Sequence, residues 1–289
     1  MAQKLGNRIC VVGRSDVGRV RTLNEDSFAV DGSLRLMVVS DGMGGHDHGE
    51  VASREVIAAL REYLMSPGTF GRKQTIRSDD TYPDEAPTVV NTIATAETDD
   101  EEEDGPTQDD VPNPAVTLVR HAVEYANSKV FEENQKRKYP EGTGMGATVA
   151  GLWLSNYEDR LVVFHVGDSR VYRFREGDFS QVTRDHSMIQ QWRDFGERGA
   201  QPSQNILTQA MGPAANVVPD VALVDDQAGD CYLICSDGLS NMVDDAVLAE
   251  KLGKATEENL EEIGDELIEL AKHNGGKDNI TLILGLVVA

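Results

Sequence analysis

The chain has 289 residues, enough for one large domain or two small ones, and only 6% of them are aromatic, so a core must be built mainly from Val, Leu, Ile and Ala. The formal net charge of −23 excludes nucleic acid and anionic membrane surfaces as ordinary partners, because both repel such a chain. Thirteen acidic side chains fall within residues 79–110, which hold no Lys or Arg; setting them aside leaves about −10, ordinary for a soluble domain.

The opening MAQKLGNRIC has no apolar leader segment, and no stretch approaches the roughly 18 apolar residues of a membrane span. Residues 8–13, 26–31 and 34–40 read as short strands, with turn punctuation at Asp31-Gly32. Residues 49–65 place Val51, Val56, Ile57, Leu60 and Leu64 at helical spacing. From 66 to 113 the pattern dissolves into Pro, Thr, Asp and Glu. This is an acidic insertion, expected to be disordered because it lacks apolar groups to offset its ordering entropy. Pro114 opens a helix over 115–137. Strands follow at 146–154, 161–167 and 169–175, with turns NYED and REGD between them. A short helical piece lies near 187–195, a strand at 230–236, helices at 244–252 and 256–273, and a last strand at 279–288. Hairpin-like groups of strands with helices between the groups indicate an α+β domain with antiparallel sheets spanning 1–289.

Cys10, Cys231 and Cys235 form no CxxC pair and read as buried free thiols in a reducing compartment, so a cytoplasmic location is expected.

Acidic residues recur at the strand ends. VVSDGMGGH ends a buried strand on Asp41 followed by Gly42, and LICSDGLS repeats the device at Asp237. Asp278 begins the last strand in GGKDNIT, Asp168 sits in the turn of HVGDSR, and Glu25 and Asp26 open a strand in TLNEDSF. Each alone is an ordinary turn or cap, since Asp-Gly favours turns. Five such sites in Gly-rich contexts suggest convergence. Converging carboxylates repel unless cations sit among them. Carboxylate and carbonyl oxygens suit two or three Mg2+ or Mn2+ ions. Two such ions can hold a shared water and lower its pKa toward neutrality while neutralising a phosphoryl group. Arg21, four residues before Glu25, is placed to grip phosphate bidentately. The histidines at 46, 48, 121, 165, 186 and 273 lack zinc-ligand spacing, apart from His46-x-His48.

The ordered motifs SDVGRVRTLNEDS, VVSDGMGGHDHGEVAS, GMGATVAG, HVGDSRVYR, LTQAMG, LICSDGLSNMV and GGKDNITLI resemble the metal-dependent serine/threonine protein phosphatases of type 2C, in their bacterial form. The match covers the chain except the acidic insertion. It implies a four-layer α-β-β-α sandwich of two antiparallel sheets flanked by helices, with the metal site at one end. It implies hydrolysis of phosphoserine or phosphothreonine by a metal-bridging hydroxide. By position, Asp41 would bridge two metals and the Gly42 carbonyl would bind the second. Asp237 and Asp278 would bind the first, Asp168 a third, and Glu25 or Asp26 the second, directly or through water. Arg21 would hold the substrate phosphate, and Asn279 would support Asp278.

The chain departs from the family at several points. Met43 stands where animal members carry a histidine proposed as general acid, and His46 three residues later is not assigned that role. Residues 186–212 correspond to a flap shorter than in many bacterial members, with Ser203 as a candidate flap serine. The implied partners are phosphorylated proteins, including a serine/threonine kinase that the monomeric enzyme opposes. A phosphatase of an anti-sigma antagonist is the other reading within the family, and no sensor domain favours it. Two further readings are a pseudophosphatase binding module, which would need a lost metal ligand, and a metal-dependent hydrolase of small phosphate esters.

Overall fold

A computed structural model describes residues 3–44, 48–66, 113–155, 160–203 and 205–288. The body of the acidic insertion (67–112), His46 and the NYED turn (156–159) lie outside these residues. In chain order the strands are β1 (Gln3–Leu5), β2 (Ile9–Asp16), β3 (Ser27–Asp31), β4 (Leu36–Ser40) and β5 (Gly42–Met43). Helices α1 (Gly49–Met65) and α2 (Pro114–Lys136) follow. Next come β6 (Gly146–Ala147), β7 (Val149–Leu154), β8 (Leu161–Val166), β9 (Arg170–Arg175), β10 (Asp178–Gln181) and helix α3 (Met188–Asp194). The chain continues through β11 (Asp220–Val224), β12 (Cys231–Cys235), the one-turn helix α4 (Asp237–Ser240), α5 (Asp245–Leu252), α6 (Leu260–His273) and β13 (Ile280–Val287).

Two antiparallel sheets form, with strand orders β1-β2-β13-β12-β9-β10 and β11-β8-β7-β4-β3, beside the small β5-β6 pair. Alternation along each strand sends side chains to opposite faces. Met37 and Val39 of β4 point inward to meet Ile9, Tyr232, Ile234 and Ile283 of the other sheet. Leu36 and Val38, one residue out of phase, join a second core with Val56 and Leu60 of α1 and Val119 and Val123 of α2. Leu233, Leu282 and Leu284 form a third core with Leu248 of α5 and Ile263 and Leu267 of α6. Three apolar layers thus separate four structural ones, as the resemblance implied. Burial on both faces explains why β7, β8, β12 and β13 are buried at every residue. Each buried Leu or Ile contributes about 1.5–3 kcal/mol.

Helix ends follow local chemistry. Asn113 Oδ1 accepts from the Ala115 and Val116 amides, and Pro114 fills the first turn of α2, where no amide is needed. The last helix starts at Leu260, not at 256 as its periodicity suggested. Thr256 and Asn259 instead satisfy each other across a turn, with Thr256 N–H donating to Asn259 Oδ1 at 2.7 Å and Asn259 N–H to Thr256 Oγ1 at 3.3 Å.

Candidate active site

Strand register brings the acidic segments to one end. Ser27 stands opposite Ser40, Val39 opposite Ala150, and Val149 opposite Val166. The start of β3, the end of β4, the start of β7 and the end of β8 are therefore level. In the other sheet Cys235 pairs with both Arg170 and Leu282, which levels the start of β9, the end of β12 and the start of β13. The chain leaves these ends at Asp26, Asp41, Asp168, Asp237 and Asp278. Asp168 sits where the chain crosses from β8 of one sheet to β9 of the other. Ser236 ties the sheets together here: its Oγ donates to Asp26 Oδ2 at 2.8 Å and accepts the Thr281 N–H at 3.0 Å.

The carboxyl groups act on one another. Burial, then the charges of Asp26, Asp237, Asp168 and Asp278, hold Asp41 well above the usual carboxylate range. Burial pushes Asp26 up to about 6 against the opposing hydrogen bonds of Thr281 and Ser236. Burial, then Asp237 and Asp185, push Asp168 up to about 7. Asp237 is raised by burial and by Asp278. Such a group cannot be fully ionised without compensating cations. Asp26 Oδ1 is buried without a hydrogen-bond partner among the described residues, although its Oδ2 is bonded. An unpaired buried carboxylate oxygen is costly. Hard oxygen donors with one orphaned atom fit a divalent cation of the Mg2+ or Mn2+ kind.

The two Asp-Gly pairs share a cause that differs from a sharp turn. Neither Gly42 nor Gly238 has positive φ. A Cβ on Gly42 would stand 2.2 Å from Gly49 O and 2.6 Å from Glu25 O, and one on Gly238 would stand 1.8 Å from Asn279 O. Each glycine lets a second backbone segment pass directly beneath an aspartate.

Glu25 and Asp26 separate in role. Asp26 is 8% exposed and belongs to the carboxyl group cluster. Glu25 serves the scaffold through its backbone: its N–H donates to Asn279 Oδ1 at 2.8 Å, and its carbonyl accepts Gly42 N–H at 3.2 Å. Its carboxyl lies by Gly49, where a Cβ would stand 2.8 Å from Glu25 Oε1. Asn279 holds Asp278 by its backbone N–H, 2.9 Å from Asp278 Oδ1, while its side-chain amide donates to Val17 O and Leu23 O at 3.0 and 2.9 Å. It thereby organises the loop that carries Arg21. Arg21 Nη2 donates to Asp278 Oδ2 at 2.8 Å. Ser203 is exposed.

Several residues around the site were given no role by the sequence. Arg170 grips both oxygens of Asp185 at 2.7–3.1 Å. Together they line a pocket with Asp168, Asp237, Ser187 and Arg193. His165, His186 and Asp220 come close enough to suggest a metal cage, but the Nε2 atoms of both rings are already engaged in hydrogen bonds. His186 Nδ1 accepts the Gly167 N–H at 3.3 Å, so the neutral ring carries its proton on Nε2, facing Asp220 Oδ2 at 3.2 Å. His165 Nε2 lies 2.8 Å from Arg184 O, which can only accept, so it too is protonated there.

A model of the protein phosphatase 2C family matches residues 13–281. The serine/threonine protein phosphatase PstP of Mycobacterium tuberculosis is 33% identical over 95% of this chain, which spans 44% of that protein's length. The serine/threonine phosphatase stp of Listeria monocytogenes is 29% identical, with 94% of this chain and 93% of that protein covered. The solved catalytic domain of PstP in complex with two manganese ions superposes with a TM-score of 0.71 at 31% identity, covering 98% of this chain and 99% of that one.

Proposed function

The chain belongs to the protein phosphatase 2C family, and on that premise we propose that it removes phosphate from phosphoserine and phosphothreonine in proteins with the help of bound Mg2+ or Mn2+. The observation that carries the proposal is the meeting of Asp26, Asp41, Asp168, Asp237 and Asp278 at the seam of both sheets, with one buried carboxylate oxygen left without a hydrogen-bond partner among the described residues.

Asp41 and the Gly42 carbonyl, with Asp237 and Asp278, are the proposed holders of two core cations. Asp26 or Glu25 completes the second site, directly or through water, and Asp168 holds a third. Cations held there lower the pKa of water toward neutrality and offset charge on the phosphoryl group. Arg21 supplies the planar donor pair that grips phosphate oxygens. Asn279 keeps the loop of Arg21 against the first strand end of the neighbouring sheet. Phosphorylated proteins are the proposed substrates, a serine/threonine kinase and its targets among them, acted on by a cytoplasmic monomer. Among the described residues no helix is long and apolar enough to cross a membrane.

The test is phosphate release from a phosphothreonine peptide with Mn2+. Chelation is expected to abolish it, and Asp237→Asn to lower kcat by roughly 100-fold or more. Full speed after chelation would remove the metal mechanism. Faster turnover of nucleotides than of phosphopeptides would make the chain a small-ester hydrolase.

A further inference from the structure

Asp168 is reached through the crossing Gly167-Asp168-Ser169, and two side chains hold that crossing. On one side His186 donates its backbone N–H to Gly167 O at 2.8 Å and accepts the Gly167 N–H on its ring at 3.3 Å. On the other stands Thr148, 3% exposed, at the break between β6 and β7. Its methyl fills the notch under Gly167, where a Cβ would stand 2.7 Å from Thr148 Cγ2. Its Oγ1 lies 2.6 Å from Ser169 Oγ.

The same Oγ1 accepts the Asp41 N–H at 3.1 Å. The Thr148 backbone N–H donates to Asp41 O at 2.8 Å, and the Thr148 carbonyl accepts from Ser40 Oγ at 2.7 Å. One hydroxyl therefore spans from the backbone of Asp41 to the residue next to Asp168. Threonine suits the place for two reasons. Its β-branch restricts χ1, so the hydroxyl cannot swing away. The branch also supplies the methyl that packs on Gly167.

We propose that Thr148 is a positioning residue whose hydroxyl sets the Asp168 carboxylate at a fixed offset from Asp41, and so creates the place for a third divalent cation beside the two core ones. This rests on reading the site as a divalent-cation phosphatase centre. Neither Thr148 nor Ser169 needs to touch a cation or the substrate. The crossing could adopt other positions if its Ser169 end were released, because β8 and β9 lie in different sheets.

The experiment is calorimetric Mn2+ titration of the intact protein without substrate, on wild type, Thr148→Val, Thr148→Ser and Asp168→Asn. Thr148→Val keeps the shape and removes the hydroxyl. It is expected to retain two tight cations and weaken the third at least tenfold, and Asp168→Asn is expected to do the same. Thr148→Ser is expected to recover most of that loss. Third-cation affinity in Thr148→Val equal to wild type overturns the proposal, and so does a wild type that binds only two. If Thr148→Val fails to fold, Ser169→Ala removes the same bond from its other end and is read in the same way. A wild type with three cations and Mn2+-dependent phosphatase activity, paired with an unaffected Thr148→Val and Ser169→Ala, sinks this inference alone. A wild type that neither binds Mn2+ nor hydrolyses phosphopeptide sinks the reading beneath it as well.

Discussion

Arg21 and Asp278 form an ion pair at 2.8 Å with side chains 49% and 38% exposed. A pair so open to solvent contributes little to stability, so the guanidinium can leave Asp278 for a substrate phosphate at small cost. A cation held by Asp278, as proposed, would make it a weaker competitor. Arg21→Ala is therefore expected to raise KM about tenfold or more while kcat changes only a few-fold, because phosphate binding in the ground state is what is lost. Steady-state kinetics on a phosphopeptide checks this; a large fall in kcat at constant KM would contradict it. At this scale the sequence was legible where the residue type itself bears the chemistry. Four aspartates and the Glu25-Asp26 pair at strand ends could be picked out from spacing and glycine context. Choosing between Glu25 and Asp26 could not be done, because only burial distinguishes them. Ser236, Thr148 and Ser169 lie inside the quoted motifs, but their roles were not legible, since a hydroxyl that joins distant strands looks like any other Ser or Thr.

Among the elements, the pairing of Arg170 with Asp185 links β9 to the segment that leads into α3. Asp185 is 7% exposed, its carboxylate takes three bonds from Arg170, and Gln181 adds another at 2.7 Å. Removing the anion takes away three of the bonds of a mostly buried guanidinium and leaves it the Tyr172 hydroxyl, so Asp185→Ala is expected to cost about 3 kcal/mol in denaturant unfolding. Asp185→Asn, which keeps an acceptor, should cost less; equal stability of Asp185→Ala and wild type would refute the link. The buried strands were readable as apolar runs, but β1, β10 and β11 were not. They are short edge strands with few buried residues, and DFSQ in β10 has one strong apolar residue. The single strand read over 146–154 is two. Gly146 and Ala147 pair with β5, while Val149 onward pairs with β4 and β8, and Thr148 turns toward Asp41 between them.

For the molecule as a whole, the carboxyl cluster sets the pH response of the metal-free state. Asp26 and Asp168 have folded pKa values of about 6 and about 7, above the ordinary carboxylate value. The folded state then binds more protons than the unfolded one, so stability is gained below these values and lost as pH rises through them. The Tm of chelator-treated protein is expected to fall by roughly 5 °C or more between about pH 5 and pH 7.5. Saturating Mn2+ should flatten or invert that slope, because cations compete with protons for the same oxygens. Differential scanning calorimetry across this range decides it; a metal-free Tm that climbs through the window would show that the carboxyl groups do not repel. The layer order was legible from strand and helix grouping, whereas the level alignment of the strand ends depends on register, which no single segment encodes.

Asp26 and Asp41 extend from one sheet, Asp237 and Asp278 from the other, and Asp168 bridges the gap. The proposed cation centre thus belongs to the seam and to neither half. On the proposed reading, any slip of one layer against the other would separate the carboxylates while each sheet keeps its own ladder of hydrogen bonds.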